Sequence, residues 1–110
     1  MIEATPQAVI AHHAISQTLL ALARGIDRCD RQLLESCFWP DATDDHGEFK
    51  GTAPEFVDWV LGVLHKEYEH TSHQITSVRV EVDDGLARSE AYFYAYHRML
   101  SKNEPRDMIA

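Results

Sequence analysis

Between residues 7 and 28 apolar side chains recur at helical spacing, with Ile10, Ile15, Leu19, Leu22 and Ile26 as the main positions of the stripe. The pattern predicts an amphipathic helix. Pro6 suits its first turn, where a proline gives up no intrahelical hydrogen bond. Asp30 then stands where a cap is needed before RQLLESCF, whose Leu33, Leu34 and Cys37 form a second, short apolar face that ends at Pro40. Ala42 to His46 read as a short strand, and HGEFKG reads as a turn. TAPEFVDWVLGVLHKEY carries the clearest helix signal. Thr52 caps it, Pro54 sits near the first position, and Glu55 completes a capping box, while Phe56, Val57, Val60, Leu61 and Leu64 supply the buried face. EHTSH reads as a connector.

The period then changes to two. HQITSVRVEV and LARSEAYFYAYHRML are alternating runs on either side of DDG, and Asp84-Gly85 between them predicts a tight hairpin. In the first run Ile75 lies on the odd phase while Val78, Val80 and Val82 lie on the even phase, so a bulge is expected near Ser77. In the second, Ala87, Ser89, Ala91, Phe93, Ala95 and His97 share one face, and Arg88, Glu90, Tyr92, Tyr94 and Tyr96 share the other. Small residues on the first face leave room above the sheet. The tyrosine face suits packing against another sheet or a second subunit. RDMIA near the end reads as the start of a further strand. Helices followed by an antiparallel sheet define an α+β domain, with helices gathered on one face of a curved sheet.

The chain has 110 residues, which allows one domain with a single core. Its net charge of -8 disfavours nucleic acid and anionic membranes as partners, because phosphate recognition draws on clustered Lys and Arg. No run approaches the roughly 20 apolar residues of a membrane-spanning helix, and the N-terminus lacks the basic-then-apolar order of a secretory signal. Cys29 and Cys37 form neither a CxxC motif nor a disulfide framework. A cytoplasmic protein with reduced structural thiols is expected.

The candidate chemistry starts from an oddity. Asp27 falls at helical spacing with Leu20 and Ala23, on a side that should pack inward. An ionised carboxylate there needs a partner or a purpose. One reading is a local cap or an ion pair with Arg24, Arg28 or Arg31. The other pairs it with His73, at the entry to a strand, as a carboxylate that orients an imidazole base. His97 continues the small-residue face and is a candidate to hold a substrate oxygen or donate a proton, or else a half-buried histidine bonded to backbone. Asp44 to Gly47 is either a solvated strand end or a rim on which Asp45 and His46 bind polar substrate atoms. Phe93 joins the substrate-facing side, and Trp39 and Trp59 are assigned to core or pocket wall. His46, His70 and His73 form no HExxH-type motif, so no metal is assigned.

The segments ALARGIDRCDRQLLESCFWPDATDDHGEFKGTAPEFV and HTSHQITSVRVEVDDGLARSEAYFYAYHR resemble the SnoaL-like branch of the nuclear transport factor 2-like superfamily. The resemblance covers nearly the whole chain. It implies a cone-shaped α+β barrel, a bent antiparallel sheet round a pocket that helices close. In relatives such as scytalone dehydratase, hexachlorocyclohexane dehydrochlorinase and the bile-acid dehydratases, an aspartate ending the first helix orients a histidine base. By that resemblance the pair is Asp27 and His73, with His97 matching a second histidine of the dehydratase and Ile26 standing where that enzyme has a pocket tyrosine. The family pattern usually has two further long strands, and the chain stops where the first should begin, so a truncated domain or one completed by a partner chain is expected. The activity implied is a cofactor-free lyase or isomerase on a small, largely apolar polyketide-, steroid- or terpenoid-like molecule, in a homodimer or higher homo-oligomer. The alternative is a non-catalytic ligand-binding or assembly module, like the small subunit of a ring-hydroxylating dioxygenase.

Overall fold

The computed structural model describes residues 4–100 and the backbone of residues 106–109. Helix α1 spans Pro6–Asp27, with Thr5 accepting a hydrogen bond from the Ala8 N–H at its start. It ends in a Schellman turn: the Asp30 N–H reaches Gly25 O at 2.8 Å and the Cys29 N–H reaches Ile26 O at 3.2 Å, with Cys29 at φ 51°. That closure makes Asp27 the last helical residue. Helix α2, Arg31–Ser36, starts at once with Asp30 as its cap. Gly25 lets the two helices meet, since a Cβ there would lie 2.8 Å from Leu34 Cδ2.

Strands β1, Thr43–Asp45, and β2, Lys50–Thr52, form a small antiparallel hairpin. The turn expected over HGEFKG is therefore shorter, and its end is a strand. Pairing with β1 satisfies the backbone there, although the polar side chains give no alternation to read. Helix α3, Ala53–Glu67, carries the expected capping box, in which the Glu55 N–H donates to Thr52 Oγ1 and Glu55 Oε1 accepts from the Thr52 N–H. Its Phe56, Val57, Val60, Leu61 and Leu64 are buried and form the core with Ile26 and Leu34.

Strand β3 spans Tyr68–Asp83 and pairs antiparallel with β4, Leu86–Met99, which pairs in turn with β5, Arg106–Ile109. The segment EHTSH is thus strand rather than connector: α3 passes into β3 at Tyr68, whose backbone is already extended. Asp84 and Gly85 both have positive φ, 45° and 82°, as a two-residue hairpin turn requires. The register shifts between Thr76 and Arg79, and Ser77 lies there at φ 52°, which is the bulge that the change of phase predicts. Helix α1 lies across β3, and the long hairpin stretches the molecule to 55 Å against 29 and 23 Å.

Two apolar expectations are corrected. Ile10 is 69% exposed, and near it Val9 and Val80 line an open groove beside the first half of α1. Trp39 is 81% exposed and belongs neither to the core nor to the main cavity wall; it edges a shallow hollow with Phe38, Pro40 and Pro54. No helix among the described residues is long and apolar enough to cross a membrane.

Candidate active site

The end of α1 and the start of β3 converge on one carboxylate. Asp27 Oδ1 lies 2.7 Å from His73 Nδ1 and accepts the Thr71 hydroxyl at 3.0 Å, while Oδ2 accepts the His73 backbone N–H at 2.9 Å. None of the arginines weighed as partners takes this role, and Arg31 instead pairs with Asp58 at 2.8 Å. Asp27 is 22% exposed at its side chain and His73 17%, so the contact is largely shielded from water. A carboxylate can only accept, so His73 Nδ1 must carry the proton, and in the neutral ring Nε2 is left with a free lone pair. Thr71, 4% exposed, is a contributor that the sequence reading misses. Strand alternation puts Thr71 and His73 on one side, and the signal is legible only once the strand is known to begin at Tyr68.

His73 opens onto a cavity of about 650 Å³. Leu19, Leu22, Ala23 and Ile26 of α1 form one apolar wall, and Ser89, Ala91, Phe93, Ala95 and His97 of β4 form the facing one. These are residues of the small face of β4, so the room expected above the sheet is present. Its volume falls in the range of small-molecule sites, roughly 300–1,000 Å³. His97 stands beside His73, the rings edge-on at 5.5 Å between centroids, with Tyr68 on another side at 4.7 Å. Its Nδ1 is buried without a hydrogen-bond partner among the described residues. Burial, and then the neighbouring His73, hold its imidazole below the ordinary histidine value, against a smaller opposing pull from Asp27.

His46 and Glu48, in the β1–β2 turn, reach the same cavity. Asp45 does not line it; its Oδ1 accepts the Gly47 N–H at 3.0 Å and so shapes the turn. Trp59 also stands apart from the cavity wall, half-buried and stacked on Phe49 at 5.3 Å. The structure therefore brings Asp27, His73, His97, His46 and Phe93 together and leaves Asp45 and Trp59 outside. Among the described residues no three His, Cys, Asp or Glu side chains gather as a metal-binding group.

An α+β fold with helices closing a pocket over a bent antiparallel sheet, and an aspartate at the end of the first helix, defines a class. The SnoaL-like domain model matches residues 7–110, and the chain belongs to that family. Among solved structures, a type 2 hexachlorocyclohexane dehydrochlorinase (LinA) superposes with a TM-score of 0.78 at 19% identity, covering 92% of this chain and 70% of that one. The LinA-type3 dehydrochlorinase from Novosphingobium barchaimii LL02 gives 0.77 at 17% identity, covering 92% and 71%. The Kfla4162 protein from Kribbella flavida gives 0.77 at 16% identity, covering 92% and 75%. These likenesses establish the shared fold. No curated protein sequence matches the chain significantly.

Proposed function

We propose that the protein is a cofactor-independent lyase or isomerase, of dehydratase type, acting on a small, largely apolar molecule of polyketide, steroid or terpenoid character. The observation that carries this reading is the 2.7 Å contact between Asp27 and His73 at the wall of an apolar cavity. His73 Nε2 removes a proton from a carbon next to an activating group. The Asp27 carboxylate keeps the ring in the productive tautomer and stabilises the imidazolium that forms. His97, kept neutral by burial, holds a substrate oxygen, and Phe93 with the α1 leucines holds the hydrocarbon. Similarity in fold to dehydrochlorinases agrees with an elimination but does not define the substrate. The free thiols of Cys29 and Cys37 suit the cytoplasm.

The test uses 3-hydroxy-1-tetralone, an uncharged bicyclic β-hydroxy ketone with an acidic C2–H, in deuterated buffer. Exchange at C2 and formation of 1-naphthol are followed by NMR and fluorescence. The wild type should exchange C2 and form naphthol faster than buffer, and His73→Ala should do neither. Equal rates in wild type, His73→Ala and buffer would remove the base from the account.

One observation favours a second reading, an assembly module. Tyr92 and Tyr94 are 66% and 67% exposed, and the β4 edge before Tyr96 has no partner strand among the described residues. A homodimer or higher oligomer through the tyrosine face would cover them, and a non-catalytic module would need only that contact. A monomeric mass by light scattering at high concentration would reject it.

A further inference from the structure

The cavity holds a second imidazole gripped by a second carboxylate. His46 Nδ1 lies 2.6 Å from Asp44 Oδ1, and His46 is a wall residue of the cavity that His73 lines. Asp44 is 15% exposed at its side chain and His46 46%, so the carboxylate is sheltered while the ring reaches solvent and cavity alike. The ring is also held from behind. It stacks on Phe56, a fully buried core residue, at 4.7 Å and 26°. Its backbone is fixed in the turn, where the His46 N–H donates to Phe49 O at 2.7 Å and the Glu48 N–H donates to His46 O at 2.8 Å. By the logic applied to His73, the His46 Nδ1–H donates to Asp44 and Nε2 is left for chemistry. An ordinary surface ion pair needs neither the stacking nor a cavity in front of the ring.

We infer that Asp44 and His46 form a second acid–base pair in this cavity, in which His46 supplies the proton that the leaving group carries away. The inference rests on the elimination proposed above and assigns its other half. His73 Nε2 takes the proton from carbon, and the C–H electron pair becomes the new double bond. The C–O bond breaks, and its oxygen takes the Nε2 proton of protonated His46 and departs as water. His46 is left neutral, His73 is left protonated, and solvent returns one proton to the first and removes one from the second. Burial opposes the charged form that His97 would need as a donor. His46 instead presents its ring to the cavity with Asp44 Oδ1 at 2.6 Å behind Nδ1. Two imidazoles dedicated to opposite transfers avoid the need for one residue to do both within a turnover.

The test separates the two transfers. With 3-hydroxy-1-tetralone, His46→Gln should keep C2 deuterium exchange within threefold of wild type and slow naphthol formation at least twentyfold. Asp44→Asn should do the same to a smaller degree. Naphthol formation unchanged in His46→Gln, or exchange and elimination lost together, would overturn the assignment. A wild type that neither exchanges nor eliminates would count against the base proposed above instead. His46 is then judged without turnover, by long-range ¹H–¹⁵N NMR of its ring. Its Nδ1 proton should lie strongly downfield and shift upfield in Asp44→Asn but not in Asp27→Asn. An Nδ1 proton that Asp44→Asn leaves unmoved would overturn the pair.

Discussion

Asp27 holds His73 at two points of different kinds, its side chain through Oδ1 at 2.7 Å and its backbone N–H through Oδ2 at 2.9 Å. One carboxylate therefore fixes both the ring and the strand that carries it. Replacing Asp27 by Asn puts an amide NH₂ against one of two donors, either the ring Nδ1–H or the backbone N–H. The ring then turns to its other tautomer or leaves its place, and the imidazolium loses its counter-charge. Asp27→Asn should lower the rate of C2 exchange by about 10²-fold or more while the far-ultraviolet circular dichroism stays native. Exchange at the wild-type rate would count against the pair.

Thr71 shares Oδ1 with His73 and is nearly buried. Thr71→Val removes the hydroxyl without changing the shape much and leaves the carboxylate one donor short. The expected cost is about 1–3 kcal/mol in urea denaturation, with Thr71→Ser recovering most of it. A loss in Thr71→Ser with none in Thr71→Val would mean that the methyl group, not the hydrogen bond, carries the effect.

His97 gives the fold a pH dependence whose sign follows from its surroundings. Burial lowers its proton affinity in the folded state, whereas the unfolded chain protonates near the ordinary value of about 6.5. As pH falls through that value, the unfolded state takes up a proton that the folded state resists. Stability therefore declines with acid down to the folded-state value, and it is fully present above about pH 6.5. His97→Gln should flatten the fall of Tm between about pH 7 and pH 5. An identical slope in both proteins would assign the dependence elsewhere.

Gly25 is set by packing. A methyl group there would lie 2.8 Å from both Cγ and Cδ2 of Leu34, a side chain with no exposed surface into which to retreat. Gly25→Ala should lose about 1–3 kcal/mol despite the better helix propensity of alanine. Gly62→Ala, on α3 with nothing within 4 Å, should gain up to about 1 kcal/mol from propensity alone. Equal changes at both positions in chemical denaturation would contradict the contact.

Much of this was legible where local and tertiary preferences agree. Helix α3 announces itself because its capping box and apolar period select the same span, and the hairpin does so because Asp84-Gly85 has the residue types its turn needs. Ser77 was readable from the change of phase alone. The start of β3 was not, because its inward side chains, Thr71 and His73, are polar and bonded to Asp27, and alternation is invisible where polar groups fill the inner face. Strand β2 was missed for a related reason, its residues being polar or small and its strand state depending on β1. Trp59 and Trp39 show the opposite limit. Size and hydrophobicity suggest enclosure for both, but only the packing of Phe49 and Phe56 decides that one is half-enclosed and the other left outside. Asp27 could be suspected from spacing and His73 from its place at a strand entry, but among seven histidines it was the resemblance that singled out the pair.

The most direct measurement is long-range ¹H–¹⁵N NMR of the histidine rings at neutral pH. His73 should appear as the Nδ1–H tautomer with an unprotonated Nε2 and a strongly downfield Nδ1 proton, and that proton should shift upfield in Asp27→Asn. A His73 ring in the Nε2–H tautomer, or one whose signals do not respond to Asp27→Asn, would contradict a carboxylate-held base.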